Sequence, residues 1–127
     1  MKWQTIATIL AAAYNLSILV VTRGFSNDQF FKVDPLFDKN GCALVIVWGL
    51  AYLSAAWNWK DVPFLFLVFA LEKIFYTVHW WKWLGKKDAW REVAEKDPSA
   101  NSFFNMYGAG DALFGAAFLA ISVTGLV

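Results

Sequence analysis

Residues 63–83 read PFLFLVFALEKIFYTVHWWKW. A helix that crosses a bilayer needs about 20 apolar residues, each rising about 1.5 Å. This stretch meets the requirement except at its middle, where Glu72 and Lys73 stand side by side. Pro63 is tolerated in a first helical turn, Asp61 is a suitable N-cap, and Gly85 is a natural stop. Glu72 is eleven residues from Asp61 and ten from Lys82, which places it about 15 Å from either edge of the apolar layer. A charge at that depth costs from about 2.5 to well over 10 kcal/mol, according to the scale used. Such a residue persists when it faces the interior of a bundle or a water-filled cavity.

The rest of the chain supplies the partners for a bundle. Of 127 residues, 59% are hydrophobic and 17% charged, against about 45–50% and about 25% in a soluble domain. The excess is gathered into blocks at 3–22, 41–57, 63–83 and 102–127, separated by short charged loops. The expectation is one domain, 1–127: an all-α integral membrane four-helix bundle with antiparallel up-down topology. Within the first block, Lys2 and Ala11-Ala12-Ala13 resemble a cleaved signal peptide. The apolar run continues past Ala13, too long for such a segment, so a retained helix is the reading adopted.

Between the first two blocks, 25–40 contains the turn signal Asp34-Pro35 and the apolar side chains Phe30, Phe31, Leu36 and Phe37. This loop is expected to lie on the membrane surface or to fold back over the bundle. In the third connection, 86–96 places Ala89, Trp90, Val93 and Ala94 on one side, with Glu92 and Lys96 as a favourable i,i+4 pair. A short interfacial helix is expected there, ended by Asp97-Pro98-Ser99.

Four spans put both termini at one end. That end carries Lys2 and Lys60, while the other carries Arg23, Lys32, Lys39, Lys82, Lys86, Lys87, Arg91 and Lys96. The positive-inside rule then places both long loops in the cytoplasm and both termini outside. Trp3, Trp57 and Trp59 would form an outer aromatic belt, and Trp80, Trp81, Trp83 and Trp90 an inner one. Small residues mark helix contacts in membranes. They recur as Gly108, Ala112, Ala116 and Ala120, as Ala51 and Ala55, and as Ala7 and Ala11. These faces serve packing within one chain; a homodimer, or contact with a larger membrane partner, remains open.

The candidate site is the layer around Glu72. Glu72, Tyr76 and His79 form one stripe at i, i+4 and i+7, while Lys73 lies about 100° around the helix and needs another partner. Counting inward from the loop end brings Asn15 of the first block, and Asp111 with Tyr107 of the fourth, to the level of Lys73 and Tyr76. Asp111 is expected to pair with Lys73 as an anion, leaving Glu72 protonated near neutral pH and hydrogen-bonded to Tyr76, Tyr107 or Asn15. His79, nearer the loop end, is expected to hold a structural hydrogen bond. Glu72, Lys73, Tyr76, His79, Asp111, Asn15 and Tyr107 are thus the candidate ligand-binding residues.

Several function classes fall away. A net charge of +1 suggests no nucleic-acid partner; the partner implied is the lipid bilayer. One cysteine, Cys42, permits no intramolecular disulfide, and one histidine permits no bis-histidine haem. No cofactor or metal is called for. Three readings remain: a protein that binds or transports a small lipophilic or ionic ligand, a structural accessory subunit of a larger membrane complex, and an intramembrane acid–base enzyme using Glu72 or Asp111. In length and span number the chain resembles the small multidrug resistance transporters, which carry an essential glutamate in their first helix. Here that helix has Asn15 and no acid.

Overall fold

The computed structural model describes residues 1–86, Arg91, Glu95 and 97–127. The interfacial helix expected over 86–96, with Trp90, Val93 and the Glu92–Lys96 pair, lies for the most part outside the described residues. The described chain is helical without strands. α1 (Trp3–Leu16) is followed after Ser17 by α2 (Ile18–Val21), and the two together form one apolar span of 19 residues. The break at Ser17 has a local cause. The Ser17 hydroxyl donates to the Tyr14 carbonyl at 2.6 Å, competing with the backbone for a helical acceptor.

Arg23, Gly24 and Phe25 all take positive φ, at 52°, 66° and 69°. Only glycine adopts that region without steric cost, so Arg23 and Phe25 hold the chain in a reversal that a glycine alone would not enforce. The reversal delivers α3 (Asp28–Val33), capped by Asn27, and a 3₁₀ turn (Pro35–Phe37) capped by Asp34. Phe30, Val33 and Phe37 are buried against Phe104, Tyr76 and Tyr107, so this loop folds back over the end of the bundle. Its far anchor is Asp97, the N-cap of the last helix, which accepts from Ser99 N, Ala100 N and the Asn27 amide and faces Arg23 at 3.9 Å. Burial works to raise the Asp97 carboxyl. The bonds from Asn27, Ala100 and Ser99, with Arg23, outweigh it and hold the group below the usual carboxylate range.

α4 (Lys39–Ala55) starts two residues before the apolar block, because Asp38 caps it through the Gly41 N–H at 2.7 Å. At 17 residues it is apolar but shorter than the other long helices. A 3₁₀ turn (Trp59–Asp61) leads into α5 (Pro63–Leu84). Asp61 is therefore not the N-cap of α5. That position falls to Val62, with no side-chain cap, and Gly85 closes the helix as expected. α6 (Pro98–Leu126) begins four residues before the apolar block of 102–127, since Pro98 takes its first helical position and Asp97 its cap. Three stretches, Trp3–Val21, Pro63–Leu84 and Pro98–Leu126, are long and apolar enough to cross a membrane.

α1 packs closely on α4, and α5 on α6, while α1 and α2 also touch α6. The pairings run antiparallel. Asn15 near the end of α1 meets Val45 near the start of α4, and Ser122 near the end of α6 bonds the carbonyl of Pro63. Of the small residues expected at the α6 contact, Gly108 is buried and the three alanines are not. Ala112, Ala116 and Ala120 face outward, and the buried side carries Gly108, Asp111, Gly115, Phe118 and Ser122. At Gly115 α5 comes close: a Cβ there would stand 3.1 Å from the Lys73 Cβ. The tryptophans split likewise. Trp57 and Trp81 are exposed as a belt requires, but Trp59 is buried and Trp80 folds over Gly108.

Two apolar clusters result. One joins the folded-back loop to Tyr76, Phe104 and Tyr107; the other joins Tyr52, Phe66, Phe69, Phe118 and Ile121 in the half nearer the termini. The polar layer lies between them.

Candidate functional site

Lys73 is only 1% exposed, although it sits in the middle of an apolar helix. Its ammonium donates to Asp111 Oδ1 at 2.9 Å and to Asn15 Oδ1 at 2.6 Å. The rings of Tyr14 and Tyr52 flank it at 5.3 and 5.1 Å. Three helices therefore meet on one nitrogen. Asn15 continues the chain by donating to the Val45 carbonyl of α4 at 3.0 Å, so all four long helices are tied at this level. A buried ammonium is tolerated only when its donors and charge are matched. Here two oxygens and two π faces supply the match.

Glu72 turns the other way around α5, as its spacing from Lys73 requires. The Tyr52 hydroxyl donates to its Oε1. The expected partners Tyr76, Tyr107 and Asn15 do not fill that role: Asn15 is already engaged by Lys73 and Val45. The Glu72 Oε2 atom is buried without a hydrogen-bond partner among the described residues. So is the hydroxyl of Tyr107, whose backbone carbonyl accepts from the Tyr14 hydroxyl. A buried polar atom left unpaired costs about 1–3 kcal/mol, so each of the two calls for an explanation.

Both residues line one cavity of about 260 Å³. Its polar wall is Asn15, Glu72, Lys73 and Asp111, and its aromatic wall is Tyr14, Phe37, Tyr76, Phe103 and Tyr107. The aromatic wall is continuous. Phe37 lies 4.8 Å from Tyr107 and 5.9 Å from Tyr76 between ring centroids, and Phe103 stacks on Tyr107 at 5.0 Å. Ser17, Met106 and Ala109 also line the cavity and are exposed, so its mouth opens sideways between α6 and the break joining α1 to α2. Ser17 is four residues before Val21, roughly 6 Å inside the end of that span. Gly110 keeps the rim tight: a Cβ there would fall 2.5 Å from the Tyr14 hydroxyl oxygen.

Of the seven residues singled out from the sequence, Asn15, Glu72, Lys73, Tyr76, Tyr107 and Asp111 line this cavity. His79 does not. Its Nε2 lies 2.7 Å from Asp34 Oδ2, where it pins the folded-back loop to α5. Tyr14, Tyr52 and Phe37 were not singled out. Tyr52 could have been found by depth, being opposite the middle of α5 in an antiparallel hairpin. Tyr14 adjoins Asn15 but lies about 100° around the helix, and nothing in the one-helix pattern aims it at Lys73. Among the described residues, no three His, Cys, Asp or Glu side chains are grouped to hold a metal ion. No family model, curated protein or solved structure matches the chain.

Proposed function

We propose that the chain is a four-span membrane bundle that binds or transports a small lipophilic molecule in the cavity beside Glu72 and Lys73. The observation that carries this reading is the cavity itself: an aromatic space at the level of a buried ion pair, lined by two residues that each keep a buried polar atom without a partner among the described residues. A structural polar tie would be dry and fully paired, since every unmatched group weakens it. The sideways mouth at Ser17, Met106 and Ala109 suits entry from the lipid. In this reading α4 is the fourth span, and the Lys and Arg distribution orients both termini outward. The exposed stripe Ala112, Ala116 and Ala120 supports the second reading, an accessory subunit that packs on a larger membrane protein.

The test uses the detergent-solubilised protein and N-phenyl-1-naphthylamine, a small lipophilic fluorophore. Saturable binding beyond that of empty micelles is expected, and Ala109→Trp, at an exposed wall position, should abolish it. Fluorescence that rises only as in empty micelles, or that ignores Ala109→Trp, would set the binding reading aside.

A further inference from the structure

We propose that the occupant of the cavity is a lipophilic ammonium, held by Glu72 against the aromatic wall. The inference rests on the binding reading and adds the ligand's chemistry to it.

Charge decides first. The polar wall holds two acids, Glu72 and Asp111, and one base, Lys73. Lys73 and Asp111 satisfy one another at 2.9 Å, and the remaining reach of the ammonium is taken by Asn15 and by the rings of Tyr14 and Tyr52. An anionic ligand would compete with Asp111 and Asn15 for the Lys73 ammonium and would meet a second acid. A cation meets the acid that lacks a base, and its arrival makes the four-charge group neutral in a medium where an unbalanced charge is costly.

Hydrogen bonding points the same way. Tyr52 uses only Oε1 of Glu72, and Oε2 is an acceptor with nothing donating to it. An ammonium N–H supplies that donor as a charge-assisted bond, the strong kind. Tyr107, on the same wall and only 4% exposed, likewise keeps a hydroxyl with no partner among the described residues. The rest of the wall is aromatic, and ring faces attract a cation within about 6 Å, most strongly when both are desolvated. A neutral hydrocarbon would fill the space but leave Oε2 and the Tyr107 hydroxyl unpaired. A compact head with one apolar group fits a volume near 260 Å³.

The experiment compares three probes of similar size on the purified protein by calorimetry, with empty micelles subtracted: benzyldimethylammonium, isobutylbenzene and phenylmethanesulfonate. The ammonium is expected to bind at one site, about tenfold or more tighter than isobutylbenzene, with the sulfonate weakest. Glu72→Gln keeps an acceptor for Tyr52 and should bring the ammonium to within about twofold of the hydrocarbon. Equal binding of the ammonium and the hydrocarbon, or preference for the sulfonate, overturns the ammonium inference and leaves the cavity reading standing. Ammonium preference that survives Glu72→Gln overturns the role given to Glu72. Failure of all three probes overturns this inference together with the binding reading. The comparison among probes needs no variant, so it decides the ligand's charge even if Glu72→Gln does not fold.

Discussion

Replacing Lys73 by Met removes the one nitrogen on which three helices meet. Asp111 is then left as a buried carboxylate with no cation, and the Asn15 Oδ1 atom loses its donor. Two charge-assisted hydrogen bonds at about 1.5–3 kcal/mol each give an expected loss of about 3–6 kcal/mol. That agrees with the roughly 3–5 kcal/mol observed when one partner of a buried pair is removed. Asp111→Leu should cost a similar amount, since the ammonium keeps only Asn15 and two ring faces. Lys73→Met with Asp111→Leu leaves no uncompensated charge, and exchanging a whole buried pair for apolar groups is often neutral. The double variant should therefore be more stable than either single one, with a coupling energy of about 3 kcal/mol or more. The assay is reversible unfolding in mixed micelles, followed by circular dichroism, for all four members of the cycle. Losses that add to within about 0.5 kcal/mol would mean that the two side chains do not depend on one another. The account of the polar layer would then fail at its centre.

Tyr52→Phe should cost about 1–3 kcal/mol, because it leaves Glu72 Oε1 unpaired beside Oε2; the same unfolding assay reads it, and a neutral result would refute the bond. Gly108→Ala should destabilise by about 1–3 kcal/mol, since its Cβ would land 2.1 Å from the Trp80 indole, which is anchored by its N–H to the Phe104 carbonyl. Asp97 has a folded-state carboxyl below its ordinary value, so its contribution is present above about pH 4 and is lost as pH falls through the folded value; Asp97→Asn should flatten that acid limb of a stability–pH profile. A cysteine introduced at residue 127 in a Cys42→Ser background should react with a membrane-impermeant maleimide added outside intact cells, and labelling only after permeabilisation would invert the proposed orientation.

How far the fold was legible follows from what each signal measures. Apolar runs count residues along one helix, so the long helices are placed to within a few residues, and the misses fall at caps. Asp38 and Asp97 are polar and lie outside any apolar block, yet their side chains begin the helices. Depth along antiparallel helices is additive, which is why Asn15, Lys73 and Asp111 could be brought to one level before any contact was known. Rotation about each helix is less constrained when every face is apolar. Of the expected contact face Gly108, Ala112, Ala116 and Ala120, Gly108 turns inward with Asp111 and Gly115, whereas the three alanines face outward. A more faithful guide would have been Asp111 itself, since the face bearing a charge cannot be the face bearing lipid. Tyr52 stayed hidden for a related reason: an aromatic residue in an apolar helix has a hydroxyl whose partner only the assembled bundle defines.

The same residues join the bundle and wall the cavity, and this has a consequence for energetics. In the bilayer proposed for this bundle, lipid tails are as apolar as leucine, so nothing resembling the hydrophobic effect in water would hold α1 and α4 against α5 and α6. The ties between the two pairs include Lys73 to Asn15, Tyr52 to Glu72 and Tyr14 to the Tyr107 carbonyl, all at the cavity's level. Aromatic contacts of Tyr52 with Phe69 and Phe118 continue the seam beyond it. A ligand seated at Glu72 would touch both pairs and would satisfy atoms that the empty bundle leaves unmatched. In the proposed binding reading, ligand binding and helix association would therefore be one equilibrium. At a free ligand concentration about 100 times its dissociation constant, the bundle should gain about 2.7 kcal/mol against unfolding. Glu72→Gln should reduce that gain while leaving the unliganded bundle nearly as stable, because Gln still accepts from Tyr52. A ligand that bound saturably yet left unfolding unmoved would have to sit elsewhere than between the two helix pairs.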